Sequence, residues 1–86
     1  GEKLRQNADF RSNIGLFNTA PIQAVVLVRL FDGDGVELAS TTRQLAPHQR
    51  LQLQEPFDRL AGRNDLAEAY ATVAVQSGDG VTAYAS

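Results

Sequence analysis

Between residues 10 and 18 the apolar Ile14 and Leu16 alternate with Asn13, Gly15 and Phe17. A two-residue period sends successive side chains to opposite faces and predicts a first strand. Asn18-Thr19-Ala20-Pro21 then strings together turn formers. Residues 22–31 carry Val25, Val26, Leu27, Val28 and Leu30 in one β-branched-rich run, the pattern of a central strand with neither face fully wet. The two Asp-Gly pairs of Asp32-Gly33-Asp34-Gly35 supply the positive φ angles of a tight hairpin, so residues 36–45 are expected to pair back antiparallel. In that arm Val36, Leu38, Ser40 and Thr42 share one face and Glu37, Ala39, Thr41 and Arg43 the other, as in a half-exposed strand that Pro47 ends.

Residues 50–54 alternate Leu51 and Leu53 with Arg50, Gln52 and Gln54 and read as a fourth strand. Pro56-Phe57-Asp58-Arg59-Leu60 before Ala61-Gly62 predicts one helical turn, with Pro near its start and Gly past its end, capping one end of the fold. Residues 68–76 place Ala69, Ala71, Val73 and Val75 on one face, and Ser77-Gly78-Asp79-Gly80 provides a second hairpin turn into a last strand over 81–86. Residues 1–8 are polar and aperiodic, a linker or lead-in strand ahead of one domain over 9–86. Short strands at this spacing, with no crossover helix for a parallel sheet, predict an all-β fold: an antiparallel β-sandwich of about six to seven strands with one short helical turn. The last residues, Ala83-Tyr84-Ala85-Ser86, fall inside a strand with no turn or polar tail behind them, which predicts a protein that continues past Ser86.

Charge and size narrow the function classes. The 86 residues bury only roughly 60–65% of the unfolded surface, which leaves little room for a deep pocket. Eight basic and ten acidic residues are scattered along the chain, giving a net charge of −2 and no basic patch for nucleic acid. Cysteine is absent, which removes thiolate metal sites and thiol nucleophiles together. No stretch approaches the ~18 consecutive apolar residues of a membrane span, and residues 1–10 lack a signal-peptide apolar core, so an export signal is expected outside this sequence. Seven Arg against one Lys, with abundant Ala, Val and Leu, suit a high-GC bacterial coding bias.

Four groupings invite chemistry. Asp32 and Asp34, with Glu37 beyond, resemble the start of a calcium loop, yet the remaining oxygens such a cation needs are missing, and a hairpin turn accounts for them. His48, the one histidine, could serve Ser12, Ser40, Ser77 or Ser86 as a general base, but no nucleophile-elbow sequence surrounds any of them and a loop histidine is the expectation. Glu55 and Asp58 are the least routine carboxylates for a glycosidase-type pair, and helix-end roles explain them first. Phe10, Phe17, Phe31, Phe57, Tyr70 and Tyr84 suffice for a sugar-stacking platform if several faced outward, although burial is expected for the phenylalanines. Asn13 is expected to bond neighbouring backbone and fix a bulge or strand crossing. Catalytic, cofactor and metal residues are therefore all predicted as none.

The run Phe10-Arg11-Ser12-Asn13-Ile14-Gly15-Leu16-Phe17-Asn18, the valine strand, Leu30-Phe31-Asp32-Gly33-Asp34-Gly35 and the closing Ala83-Tyr84-Ala85-Ser86 together resemble a bacterial immunoglobulin-like β-sandwich repeat. The resemblance spans Asp9 to Ser86, and its most specific part is the spacing Phe-Arg-x-Asn-x-Gly-x-x-Asn. It implies a non-catalytic module carried on large exported proteins such as proteases and surface proteins, located outside the cell or on its surface. Its expected partners are neighbouring domains of the same polypeptide, with a second copy of the chain reached through an exposed edge strand. The alternative expectation is a carbohydrate-binding module that uses exposed aromatic rings.

Overall fold

The computed structural model describes residues 2–6, 13–63, 65 and 68–85. Seven strands and one short helix follow in the order β1 (Glu2–Gln6), β2 (Ile14–Asn18), β3 (Ala24–Asp32), β4 (Glu37–Leu45), β5 (Arg50–Leu53), α1 (Pro56–Arg59), β6 (Ala69–Ser77) and β7 (Val81–Ala85). They form two antiparallel sheets, one ordered β1-β6-β3-β4 and the other β5-β2-β7. The all-β, antiparallel expectation is met. β1 falls in the segment whose sequence has no alternation; it is held by backbone pairing to β6, from Glu2 opposite Val73 to Gln6 opposite Ala69, and a ladder of that kind needs no apolar period.

One core joins the two sheets. From the four-stranded sheet come Ala24, Val26, Val28 and Leu30 of β3, Ala69, Ala71 and Val73 of β6 and Leu45 of β4; from the other come Ile14 and Leu16 of β2 and Leu53 of β5. Phe57 of α1 is fully buried in the same cluster, so the helical turn contributes a core side chain. Pro56 starts this turn, and the amide of Gly62 ends it by donating to the Asp58 carbonyl at 2.9 Å. The outer face of β3 is mixed, with Val25, Leu27 and Phe31 half-buried and Arg29 exposed.

Two local readings are corrected. Ser77-Gly78-Asp79-Gly80 is a turn but makes no hairpin: β6 already has β1 on one edge and β3 on the other, so β7 crosses to pair with β2. In β4, Leu30 faces Ala39 while Phe31 faces Glu37, a shift that leaves Leu38 as the extra residue of a bulge. Beyond it Ala39, Thr41, Arg43 and Leu45 lie opposite the buried Leu30, Val28, Val26 and Ala24. The inward face of β4 is thus the one that carries an arginine.

The chain changes sheet three times at one end, through residues 19–23, 46–49 and 78–80. These arches lean on one another: Thr19 N–H donates to Gly80 O at 2.9 Å, Asn18 N–H to Gln49 O at 2.9 Å, and His48 N–H to Ala20 O at 3.3 Å. Gly78 has φ +82°, and a Cβ there would lie 2.7 Å from the Gln23 carbonyl oxygen, so both its conformation and the close approach of the first arch require glycine.

On the outer face of the three-stranded sheet, Gly15 of β2 lies opposite Tyr84 of β7, whose ring covers it. A methyl at residue 15 would overlap Cε2 and Cζ of that ring. Gly15→Ala is expected to destabilise by about 1–3 kcal/mol as the ring is displaced. With Tyr84→Ala already in place the same change should cost markedly less, a coupling that urea unfolding of the two single variants and the double variant would read directly.

Candidate functional site

Asn18, the last residue of β2, is fully buried, and its side chain is the most heavily bonded in the described structure. Its two Nδ2 hydrogens are shared among the carbonyls of Ile22 at 2.7 Å, Ala46 at 3.1 Å and Leu45 at 3.3 Å. Its Oδ1 accepts from the Ala20 amide at 3.1 Å. One carboxamide therefore satisfies backbone groups of the first arch, the end of β4 and the second arch. Asn13, at the opposite end of β2, accepts from the Glu55 amide at 3.0 Å. Asn13 does bond backbone, but backbone 42 residues away rather than its own neighbourhood. It holds the entry to α1, where Glu55 adopts φ +45°.

The Asp32 turn is closed on itself. Oδ1 of Asp32 accepts from the amides of Asp34 at 2.9 Å and Val36 at 3.0 Å, and the Gly35 amide donates to the Asp32 carbonyl at 3.1 Å. A carboxylate that caps two amides is performing a turn function. Among the described residues no three acidic or histidine side chains come together in a way that could hold a metal ion.

His48 is exposed at φ +61° in the second arch. Ser40 sits opposite Arg29 in β4, Ser77 sits opposite Val25 at the end of β6, and Ser12 and Ser86 lie outside the described residues. No hydrogen bond joins His48 to a serine or an acid among the described residues. Glu55 reaches back to Arg59 with Oε2 3.7 Å from Nε, whereas Asp58 is exposed on α1. That exposed i,i+4 pair is a weak helix-surface contact rather than half of a catalytic couple. At the neighbouring surface pair, the hydrogen bond from Arg63 Nε at 2.9 Å holds the Asp65 carboxyl below its ordinary range.

The aromatic rings are engaged within the fold. Phe57 is in the core, and Phe31 and Tyr70 stack on each other across β3 and β6 with centroids 4.9 Å apart and planes 13° from parallel. Phe17 lies under the Arg50 guanidinium at 4.2 Å, and Tyr84 covers Gly15. Phe10 lies outside the described residues.

A feature the sequence reading passed over is a cleft of about 240 Å³ at the side where β4 and β5, the outer strands of their sheets, face α1. Its lining combines Arg43, Gln52, Gln54 and Arg59 with Leu53, Pro56 and Leu60. The signal for Arg43 was present in the alternation of Ala39, Thr41, Arg43 and Leu45, which carries Arg43 inward once Leu45 is taken as a core residue. No helix among the described residues is long and apolar enough to cross a membrane. Set against protein-family models, curated proteins and solved structures, the chain matches none.

Asn18→Ala would leave three buried or part-buried carbonyls without their donor and is expected to cost about 3–5 kcal/mol, a large share of the stability of a domain this size. Asn18→Asp, although isosteric, should be at least as damaging because a carboxylate would face those same carbonyls. Denaturant unfolding at neutral pH distinguishes this from a turn role for Asn18, which would tolerate Asp. Glu55→Gly is expected to stabilise by up to about 1 kcal/mol, because glycine adopts the positive φ without strain and the contact to Arg59 that it loses is weak, read as a rise in melting temperature.

Proposed function

We propose that this chain is a non-catalytic immunoglobulin-like β-sandwich module, a structural or interaction unit within a larger secreted or surface-exposed bacterial protein. The observation that carries the reading is the fate of the chain's polar candidates. Asp32, Asn13 and Asn18 are spent on turn and arch backbone, while His48, Glu55 and Asp58 do not converge on a common point. The three spaced positions of the Asn13-x-Gly15-x-x-Asn18 motif likewise act in holding the fold: a helix entry, a bed for the Tyr84 ring and the arch bonds.

Strand neighbours support the immunoglobulin-like part. β2 beside β5, and β3 between β6 and β4, repeat the B–E, F–C and C–C′ adjacencies of that architecture. The outer strands depart from it, since β7 lies beside β2 and β1 beside β6, the places the first and last strands occupy there. The exchange keeps the central strands covered on both sides, which is what the core needs. A sugar platform requires rings laid side by side with open faces. The mutual stacking of Phe31 on Tyr70 and the Arg50 cover on Phe17 favour packing instead.

The encoding reading frame and the cell surface test this. We expect a frame longer than these residues that specifies an export signal and at least one further domain, and labelling of the intact cell by an antibody against the module. A frame that ends at Ser86 without an export signal, or labelling only after lysis, would overturn the reading.

A further inference from the structure

We infer that the cleft between β4, β5 and α1 receives the carboxylate side chain of an extended acidic segment from a partner, an inference that rests on the interaction-module reading. Arg43 carries the argument. Among the described residues its Nε is the one buried side-chain polar atom without a hydrogen-bond partner. The other arginines with described side chains are engaged: Arg29 with Glu37 at 3.5 Å, Arg50 over Phe17 at 4.2 Å, Arg59 with Glu55 at 3.7 Å and Arg63 with Asp65 at 2.9 Å.

A half-buried guanidinium without an anion is costly, and no acid among the described residues pairs with Arg43. An inward charge on an outer strand discourages that strand from pairing with copies of itself. That accounts for a charge at residue 43, and it leaves the surroundings to be explained. A second guanidinium, from Arg59, lines the same cleft together with the carboxamides of Gln52 and Gln54, while Leu53, Pro56 and Leu60 supply an apolar wall. Planar donor forks fit a carboxylate, and an apolar wall fits the methylenes that carry one.

Size and position choose the occupant. At about 240 Å³ the cleft is smaller than the ~300–1,000 Å³ of sites that enclose a whole small molecule, and it suits a single side chain. β4 and β5 end their sheets, so a segment running along β4 finds backbone donors and acceptors beside the cleft. A Glu or Asp on such a segment would place its oxygens at Arg43 and Arg59.

The test uses the full chain, labelled with nitrogen-15, and the blocked peptide acetyl-Thr-Val-Glu-Val-Thr-amide against its Gln counterpart. The Arg43 Nε–Hε signal and the β4 amides should shift saturably with the Glu peptide. Binding should weaken roughly tenfold or more with the Gln peptide or in Arg43→Gln. Arg59→Gln, read separately in case Arg43→Gln fails to fold, should weaken it too, and Arg50→Gln, away from the cleft, should bind as the parent does. Equal shifts from the two peptides, no shift at millimolar peptide, or sodium acetate or inorganic phosphate acting as strongly as the peptide would each overturn the inference. A surface-labelled, multidomain parent with an unresponsive Arg43 would reject the cleft and leave the module standing; an intracellular, single-domain parent whose Arg43 still responds would reject the module and keep the site.

Discussion

Every time a chain passes from one sheet to another it leaves the hydrogen-bond ladder, and the carbonyls at the crossing must find donors elsewhere or be buried unsatisfied. Here that demand is concentrated, because three crossings meet at one end of the molecule. The side chain of Asn18 meets much of it from a fully buried position, donating to Ile22, Leu45 and Ala46 and accepting from Ala20. A carboxamide is the group that can do both at once, which neither an aspartate nor a leucine of the same size can. The relative placement of β2, β3, β4 and β5 therefore depends on it.

With that end tied, the rest of the polar inventory has a consistent distribution. Asn13 fixes the entry to α1 at the far end, α1 delivers Phe57 to the core, and Asp32 closes the β3–β4 turn. Outside the core, the described aromatic rings lie on one another, on a glycine or under a guanidinium. Groups committed to backbone in this way are poor candidates for substrate chemistry. Among the described residues that commitment is incomplete along β4 and β5, where Arg43 is turned inward with no acid paired to it.

The valine run of β3, the Leu51/Leu53 alternation of β5 and the Pro56-to-Gly62 turn were legible because each is a local signal, set by the side-chain period or by backbone preference within a few residues. Less legible was β4, where Val36 and Leu38 suggest the wrong inward face until the bulge at Leu38 reverses the phase. For the candidate cleft, alternation with Leu45 carries the inward phase of Arg43, but Gln52 and Gln54 alternate with Leu51 and Leu53 as any strand surface does, and no local pattern brings them together with Arg43 and Arg59.

What the sequence alone determined is the all-β class, the positions of the strands from β2 to β7, the helical turn and most of the core of β3 and β6. Periodicity and turn chemistry are properties of short stretches, and they locate an element without naming its partner. Beyond the β3–β4 hairpin that the Asp-Gly turn announced, which strands neighbour which was decided only in the tertiary structure: β1 took the edge of β6 that a hairpin would have used, β7 crossed to β2, and Asn18, besides closing its own turn onto the Ala20 amide, became the joint between arches. Backbone pairing is blind to side-chain pattern and a buried carboxamide finds its partners across the fold, so neither choice leaves a mark on the residues nearby.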